Sequence, residues 1–212
     1  MSTLNSQEQE QIEALKSWWK ENGKWLMLTA ALVLGGFSAI TGWNVYQKNH
    51  AIEAGTLYVE LERQLFSNDP KRINDAATVV IDKFGSSAYA PRAALIAANV
   101  NIQVGDRERA KTQLQWVIDH ADDSGLHDVA RLKLASVLLD EKKYAEALIL
   151  LGAKSSESFS ALYSDLKGDV LSAQGKSDEA RTAYQLAISK MDSKSEYRGL
   201  IQIKLDALAG EE

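Results

Sequence analysis

An uncharged run near the N-terminus, "WLMLTAALVLGGFSAITGWNVYQ" (residues 25–47), constrains the fold more than any other part of the sequence. It holds 23 residues without Asp, Glu, Lys or Arg, although 25% of the whole chain is charged. As a helix that rises about 1.5 Å per residue it would extend roughly 34 Å, enough to cross a hydrocarbon core of about 30 Å. We therefore predict one membrane-spanning helix over residues 25–46.

Two other interpretations of this run fit less well. A cleaved signal peptide usually has an apolar region of only about 7–15 residues, which ends at a small-residue cleavage site. Here the run is longer, it begins after 24 mostly polar residues, and Ala39-Ile40-Thr41 makes a poor cleavage site. A buried core helix is the second alternative.

The basic residues on either side of the run predict its orientation. Lys16, Lys20 and Lys24 precede it, whereas Lys48 and Arg63 are the nearest basic residues after it. Basic residues collect on the cytoplasmic side of a membrane. We expect a single-pass type II protein, with residues 1–24 as a cytoplasmic tail and residues 47–212 outside. In a Gram-negative bacterium this means a protein of the inner membrane whose outer part lies in the periplasm.

The tail shows helical spacing of its own. Ile12, Leu15, Trp18 and Trp19 recur on one face, which predicts a short amphipathic helix in the headgroup layer. Asn22-Gly23 tolerates a left-handed backbone and is expected to end this helix before the membrane. A solvated tail with incidental aromatic residues is the alternative.

Small side chains follow one another inside the predicted span. Ala31, Gly35 and Ala39 lie four residues apart, and Ser38 and Gly42 form a second pair with the same spacing. Small residues let another helix approach closely, and packing drives helix association in lipid. We therefore expect these five residues to contact a partner helix in the membrane.

Composition limits what the outer part of the chain can be. The protein has a net charge of −5, which gives no basic footprint for nucleic acid, and it has no cysteine for disulfides or thiolate metal sites. Residues 47–212 suffice for one domain with its own core. Helical runs separated by short turns, with only two prolines and no alternating strand pattern, predict an all-α fold.

Three stretches of this outer part align as repeats, at residues 91–122, 128–154 and 161–190. Each has a helix with a small residue at its midpoint, a turn (Gly105-Asp106, Glu141-Lys142, Gly175-Lys176) and a second helix. In the second helices a small residue is followed four positions later by a large one. The midpoint residues of the first helices are Ala98, Ala135 and Gly168. In the second helices the small residues are Ala110, Ala147 and Ala180, and the large residues are Leu114, Leu151 and Tyr184.

The spacing of these units is similar to the tetratricopeptide repeat, which has about 34 residues per helix pair. Residues 51–84 are expected to form a degenerate first pair and residues 195–209 a capping helix. The sequence thus predicts a transmembrane helix followed by a tetratricopeptide-like solenoid, with a generic helical bundle as the alternative.

The sequence offers no chemistry for catalysis. The three histidines lack metal-ligand spacing, and neither a nucleophile motif nor a phosphate-binding glycine loop occurs. We predict a protein that is not an enzyme and uses no cofactor. A repeat array instead offers a concave surface lined by the first helix of each pair. Its predicted partner-binding residues are Arg92, Leu95, Asn99, Gln103, Leu132, Ser136, Asp165 and Asp169. Alternatively, the leucines among them are core.

The stretch "EALKSWWKENGKWLMLTAALVLGGF" (13–37), followed by the repeats, resembles the YfgM family, the ancillary subunits of the bacterial SecYEG translocon. The segment "ENGK" (21–24), leading straight into the apolar run, is the most specific part. The resemblance implies association with SecYEG and with the periplasmic chaperone PpiD. It also implies that unfolded, newly translocated polypeptides are the clients.

Two other functions are compatible with the residues alone. An anchored regulator could hold a cytoplasmic signalling factor with its tail, although residues 1–24 offer only one apolar face for this purpose. A scaffold for envelope or division machinery could use the outer repeats equally well.

Overall fold

The computed structural model describes residues 6–209 of the chain. These residues form nine α-helices and one short 3-10 helix, and no strand occurs among them. They divide between two units, Met1–Ile52 and Glu53–Glu212. The all-α fold that the sequence predicts is therefore confirmed.

Helix α1 runs from Ser6 to Leu65 and contains the apolar run. Within the described residues it is the one helix long and apolar enough to cross a membrane. The side chains from Trp25 to Tyr46 are all exposed in the structure, as contact with lipid requires.

The break expected at Asn22-Gly23 is absent, because α1 continues through both residues without interruption. The Asn22 side chain donates to the Trp18 carbonyl over 3.1 Å, so it caps no new helix. A Cβ on Gly23 would lie 3.2 Å from the Trp19 ring, which covers this glycine. One glycine costs a helix only about 1 kcal/mol, too little to interrupt it by itself.

The second unit contains the end of α1 and eight further α-helices. They are α2 Pro70–Phe84, α3 Ala90–Gln103, α4 Arg107–His120, α5 Ser124–Asp140, α6 Tyr144–Gly152, α7 Ser160–Ala173, α8 Ser177–Lys190 and α9 Tyr197–Ala209, with the 3-10 helix Glu157–Phe159 before α7. From α2 onward each α-helix packs against the next, and in addition α3 contacts α5 and α5 contacts α7. The first helices of successive pairs therefore stack on one another, as in a helical-repeat solenoid.

The turns inside the three pairs are closed in the same way. A residue with positive φ ends the first helix, at Gly105 (82°), Lys142 (59°) and Gly175 (74°). The following amide then donates to the carbonyl five residues earlier, over 2.8–3.0 Å. Lys142, not Glu141, is thus the counterpart of the two glycines, and the predicted alignment of this turn was wrong by one residue.

The core is built where the small and large repeat residues meet. Ala110, Ala147 and Ala180 are fully buried, and Tyr184 is buried beside Gly168. A Cβ added to Gly168 would lie only 2.4 Å from Cε1 of the Tyr184 ring, so glycine is required for this close approach of α7 and α8. The repeat positions therefore act as the sequence predicts, with small residues at the helix contacts.

Candidate partner-binding surfaces

The partner-binding residues predicted from the sequence lie on α3, α5 and α7, which together we call the α3–α5–α7 surface. Arg92, Gln103 and Ser136 are exposed there, while Asn99 and Leu132 are half-buried. Leu95 belongs instead to the main hydrophobic cluster. The accessible part of this surface is thus polar and lies on α3 and α5.

The structure corrects the expectation for Asp165 and Asp169 on α7. Asp165 is only 2% exposed, and it accepts hydrogen bonds from Tyr197 (2.8 Å) and Lys204 (2.9 and 3.1 Å) of α9. Lys204 also donates to Asp169 over 2.8 Å. Both carboxylates hold the last helix on the array. Asp165 is closed to a partner, whereas the Asp169 side chain is half-buried, with 27% of its surface exposed.

The ionisation of this cluster follows from its geometry. Burial would lower the pKa of the Lys204 ammonium, but hydrogen bonds to Asp169 and Asp165 outweigh it and raise that pKa. Burial and the hydrogen bond to Asp165 raise the pKa of Tyr197 to about 12. Lys204 therefore stays charged and Tyr197 stays a hydrogen-bond donor at neutral pH.

Asp128 repeats this arrangement one unit earlier, near the start of α5. It is 2% exposed and accepts from the Ser156 amide (2.9 Å), the Ser156 hydroxyl (2.6 Å) and the Tyr163 hydroxyl of α7 (2.9 Å). Burial alone would raise the pKa of Asp128, yet these hydrogen bonds outweigh burial and lower it. Burial and Asp128 together raise the pKa of Tyr163 to about 12.

A third buried polar group joins α2, α3 and α4. Asn101 is 1% exposed, and its amide donates to Asn74 over 2.9 Å and to Gln113 over 2.8 Å. Buried amides that are hydrogen-bonded in this way fix helix register, since an unpaired one would cost about 1–3 kcal/mol. Polar residues between the helices therefore serve the array itself.

A second surface was missed by the sequence interpretation. It is a groove of about 690 Å³ between α4 and α6, with α5 beneath, which we call the α4–α6 groove. Its lining residues are Lys111, Thr112, Gln115, Trp116, Asp119 and His120 of α4, Leu134 and Leu138 of α5, and Glu146, Ile149 and Leu150 of α6. The sequence signal was "LILL" (148–151), since a helix this apolar must expose part of its apolar surface when only one face is buried.

In the membrane segment the five small residues lie on one side of α1. At 100° per residue Ala31, Gly35, Ser38, Ala39 and Gly42 fall within a face about 100° wide. All five are exposed, and a Cβ on either glycine would meet nothing within 4 Å. The structure thus leaves this face of small residues accessible.

Within the part of the chain that the structure describes, no group of three or more His, Asp and Glu side chains is arranged to hold a metal ion.

The chain is similar to known proteins along most of its length. Residues 16–210 match the family model of the tetratricopeptide repeat-like domain. The chain is similar to the ancillary SecYEG translocon subunit of Neisseria gonorrhoeae, with 34% identity over 95% of this chain and 97% of that protein. It is also similar to the ancillary SecYEG translocon subunit of Escherichia coli, with 28% identity over 95% of this chain and 97% of that protein.

Two solved structures are similar in fold. They are the MamA RS-1 ArsTM double mutant and MamA 41-end from Desulfovibrio magneticus RS-1, each with a TM-score of 0.54 and 18% identity. Each match covers 74% of this chain and 89% of the other. At this identity the likeness concerns the helical-repeat fold alone.

Proposed function

Because the chain belongs to the family of ancillary SecYEG translocon subunits, we propose that it is a non-catalytic adaptor of the translocon in the inner membrane. Its helical-repeat domain lies in the periplasm and links newly translocated polypeptides to periplasmic chaperones such as PpiD. The observation that carries this proposal is the 34% identity to one such subunit along almost the whole of both chains.

The periplasmic orientation is supported by Lys16, Lys20 and Lys24 before the apolar run. A topology reporter fused after Glu212 should be active only in the periplasm. Moving the three lysines to residues 48–55 should weaken or invert insertion. Cytoplasmic activity of the unmodified fusion would refute this orientation.

Translocon association is assigned to the face of small residues on α1. Gly35→Leu combined with Ala39→Leu should reduce the amount of SecYEG that co-purifies in mild detergent, because leucine keeps a partner helix at a distance. Gly36→Leu is the matched control, since Gly36 lies outside this face and a Cβ there also meets nothing within 4 Å. If SecYEG co-purified equally with the wild type, the double variant and Gly36→Leu, the assignment would be contradicted.

Chaperone binding is assigned to the accessible, polar part of the α3–α5–α7 surface. Arg92→Glu combined with Gln103→Ala should reduce recovery of PpiD without changing recovery of SecYEG. Both side chains are exposed, so these substitutions leave the core intact.

Crosslinking from α1 separates this proposal from the two other functions. Contacts with translocon helices support the adaptor. Contacts with a cytoplasmic protein alone would indicate a regulator, and contacts with envelope or division proteins alone would indicate a scaffold. The adaptor proposal fails if the wild-type protein recovers no translocon component and no periplasmic folding factor.

A further inference from the structure

The α4–α6 groove presents apolar side chains that the fold itself does not cover. We propose that it binds a polypeptide segment with apolar side chains and basic residues among them. This inference rests on the proposed function, since it names the chemical class of client that the repeat domain takes. The α3–α5–α7 surface and the face of small residues on α1 take no part in it.

The walls and floor of the groove provide the apolar contact. Leu134 and Leu138 of α5 form the floor, while Trp116 stands on one wall and Ile149 and Leu150 on the other. Ile149 is 75% exposed, although it lies in the middle of a short helix between the half-buried Leu148 and Leu150. Exposed apolar side chains grouped around a concavity are typical of a binding site.

The charged residues of the groove determine the sign of the partner. Lys111 Nζ is bound to Glu108 (2.7 Å) and to Glu141 (2.9 Å), so the one lysine of the lining is neutralised within the domain. Asp119 on the α4 wall accepts only a neutral hydrogen bond, from Gln115. The side-chain carboxylate of Glu146 on the α6 wall has no ion pair or hydrogen bond among the described residues.

Each wall therefore carries one carboxylate that no cation within the domain neutralises. A bound segment with Lys or Arg beside its apolar side chains would meet both carboxylates while its apolar side chains cover Trp116 and Ile149. Such charge complementarity favours basic partners and disfavours acidic ones.

A second copy of this chain would fit the groove less well than a basic segment. In a symmetric dimer through this surface the same patch faces itself. Each copy would then bring its carboxylates Asp119 and Glu146 to the same interface, and like charges brought together at an interface oppose association.

The size of the groove sets the length of the segment. Its volume of about 690 Å³ lies within the roughly 300–1,000 Å³ of clefts that bury most of a bound ligand. The α4 residues that line the groove run from Lys111 to His120, which is about 15 Å at 1.5 Å per residue. A helical segment of about 10 residues matches this length, and grooves between helices commonly take such segments.

The test uses the full chain in nanodiscs of zwitterionic lipid, with empty nanodiscs as the blank. The probe is a fluorescent peptide of about 10 residues, made of leucine, alanine and serine with three lysines, a length set by the part of α4 that lines the groove. A second peptide carries glutamate in place of each lysine. Fluorescence anisotropy gives the Kd of each, and we expect the lysine peptide to bind at least about tenfold more tightly.

Two variants in the groove are paired with two controls outside it. Ile149→Ser should weaken the Kd of the lysine peptide roughly tenfold, the ratio expected when one buried aliphatic contact is lost. Glu146→Lys should weaken the lysine peptide and strengthen the glutamate peptide. Ile203→Ser (66% exposed in the parent, on α9) and Glu196→Lys, which precedes α9, should change neither Kd by more than about twofold.

Three outcomes would overturn the inference. The first is equal binding of both peptides to the wild type, and the second is unchanged binding by Ile149→Ser and Glu146→Lys. The third is a dimer in sedimentation that Ile149→Ser dissociates without any effect on peptide binding, since a second copy would then occupy the groove. If any of these outcomes occurs while SecYEG still co-purifies, only the inference about the groove is refuted. If SecYEG does not co-purify with the wild-type protein, the proposed function itself is refuted.

Discussion

Gly168 offers the sharpest test of the repeat packing. Replacing it by alanine would place a Cβ 2.4 Å from Cε1 and 2.5 Å from Cδ1 of the Tyr184 ring, closer than real Cβ contacts come. That ring is 3% exposed, and its hydroxyl donates to Asp169 over 2.8 Å. Since the clash is with the body of a buried ring, α7 and α8 must separate or Tyr184 must leave its hydrogen bond.

The magnitude follows from three opposing contributions. Alanine is favoured over glycine inside a helix by about 1 kcal/mol. Overpacking of a core contact costs about 1–3 kcal/mol, and loss of the Tyr184 hydrogen bond to the Asp169 carboxylate costs about 1.5–3 kcal/mol. Where both costs apply, Gly168→Ala should therefore destabilise the domain by about 1.5–5 kcal/mol, and each kcal/mol lowers the Tm by roughly 2–4 °C.

The assay is thermal unfolding of the full chain in mild detergent, followed by circular dichroism. Gly199→Ala is the matched control, because Gly199 lies exposed in α9 and a Cβ there meets nothing within 4 Å. That control should stabilise the protein by up to about 1 kcal/mol through helix propensity alone. If Gly168→Ala raised the Tm as Gly199→Ala does, the close contact with Tyr184 would be disproved.

Three further predictions use the same measurement. Ala147→Leu and Ala180→Leu should each cost about 1–3 kcal/mol, because both alanines are fully buried at helix contacts, and a parental Tm for both would contradict the repeat alignment. Lys142→Gly should stabilise the protein by up to about 1 kcal/mol, since Lys142 has a φ of 59°, whereas Glu141→Gly should not. The pKa of Asp128 lies below the ordinary 3.8, so its contribution is full above about pH 4 and is lost as the pH falls through the folded-state pKa. Asp128→Asn should therefore cost about 1–3 kcal/mol at neutral pH and progressively less as the pH falls below about 4, and a cost that did not change with pH would refute this role.

The fold could be predicted from the sequence because its signals are periodic and local. The apolar run, the alanines at helix contacts and the left-handed glycines at the turns each specify a conformation through nearby residues. Gly105 and Gly175 marked two turns directly, whereas Lys142 marked the third poorly, because a lysine adopts positive φ only under the constraint of the helices around it. The helix break predicted at Asn22-Gly23 was wrong for the opposite reason. The local signal for a break was strong, but the helix continues on both sides of it.

The candidate sites were predicted less well, because burial depends on what packs on a helix from elsewhere in the chain. Asp165 follows the pattern of an exposed polar residue on a first helix, yet Tyr197 and Lys204, more than 30 residues later, cover it. Ile149 was hidden among consecutive apolar residues, and only the position of α4 and α6 over α5 shows that it is left exposed.

The burial of Asp165 and the exposure of Ile149 have one physical cause, which also bears on function. A buried carboxylate and a tyrosine hydroxyl join α5 to α7 (Asp128 with Tyr163) and α7 to α9 (Asp165 with Tyr197), so these polar groups are used within the array. The second helices α4 and α6 pack on α5, and the space between them is bordered by apolar side chains instead. A segment that binds there replaces water on apolar surface and breaks no buried hydrogen bond, whereas a segment that competed for Asp165 would have to displace Lys204. Association through the α4–α6 groove should therefore leave the unfolding cooperativity of the array unchanged.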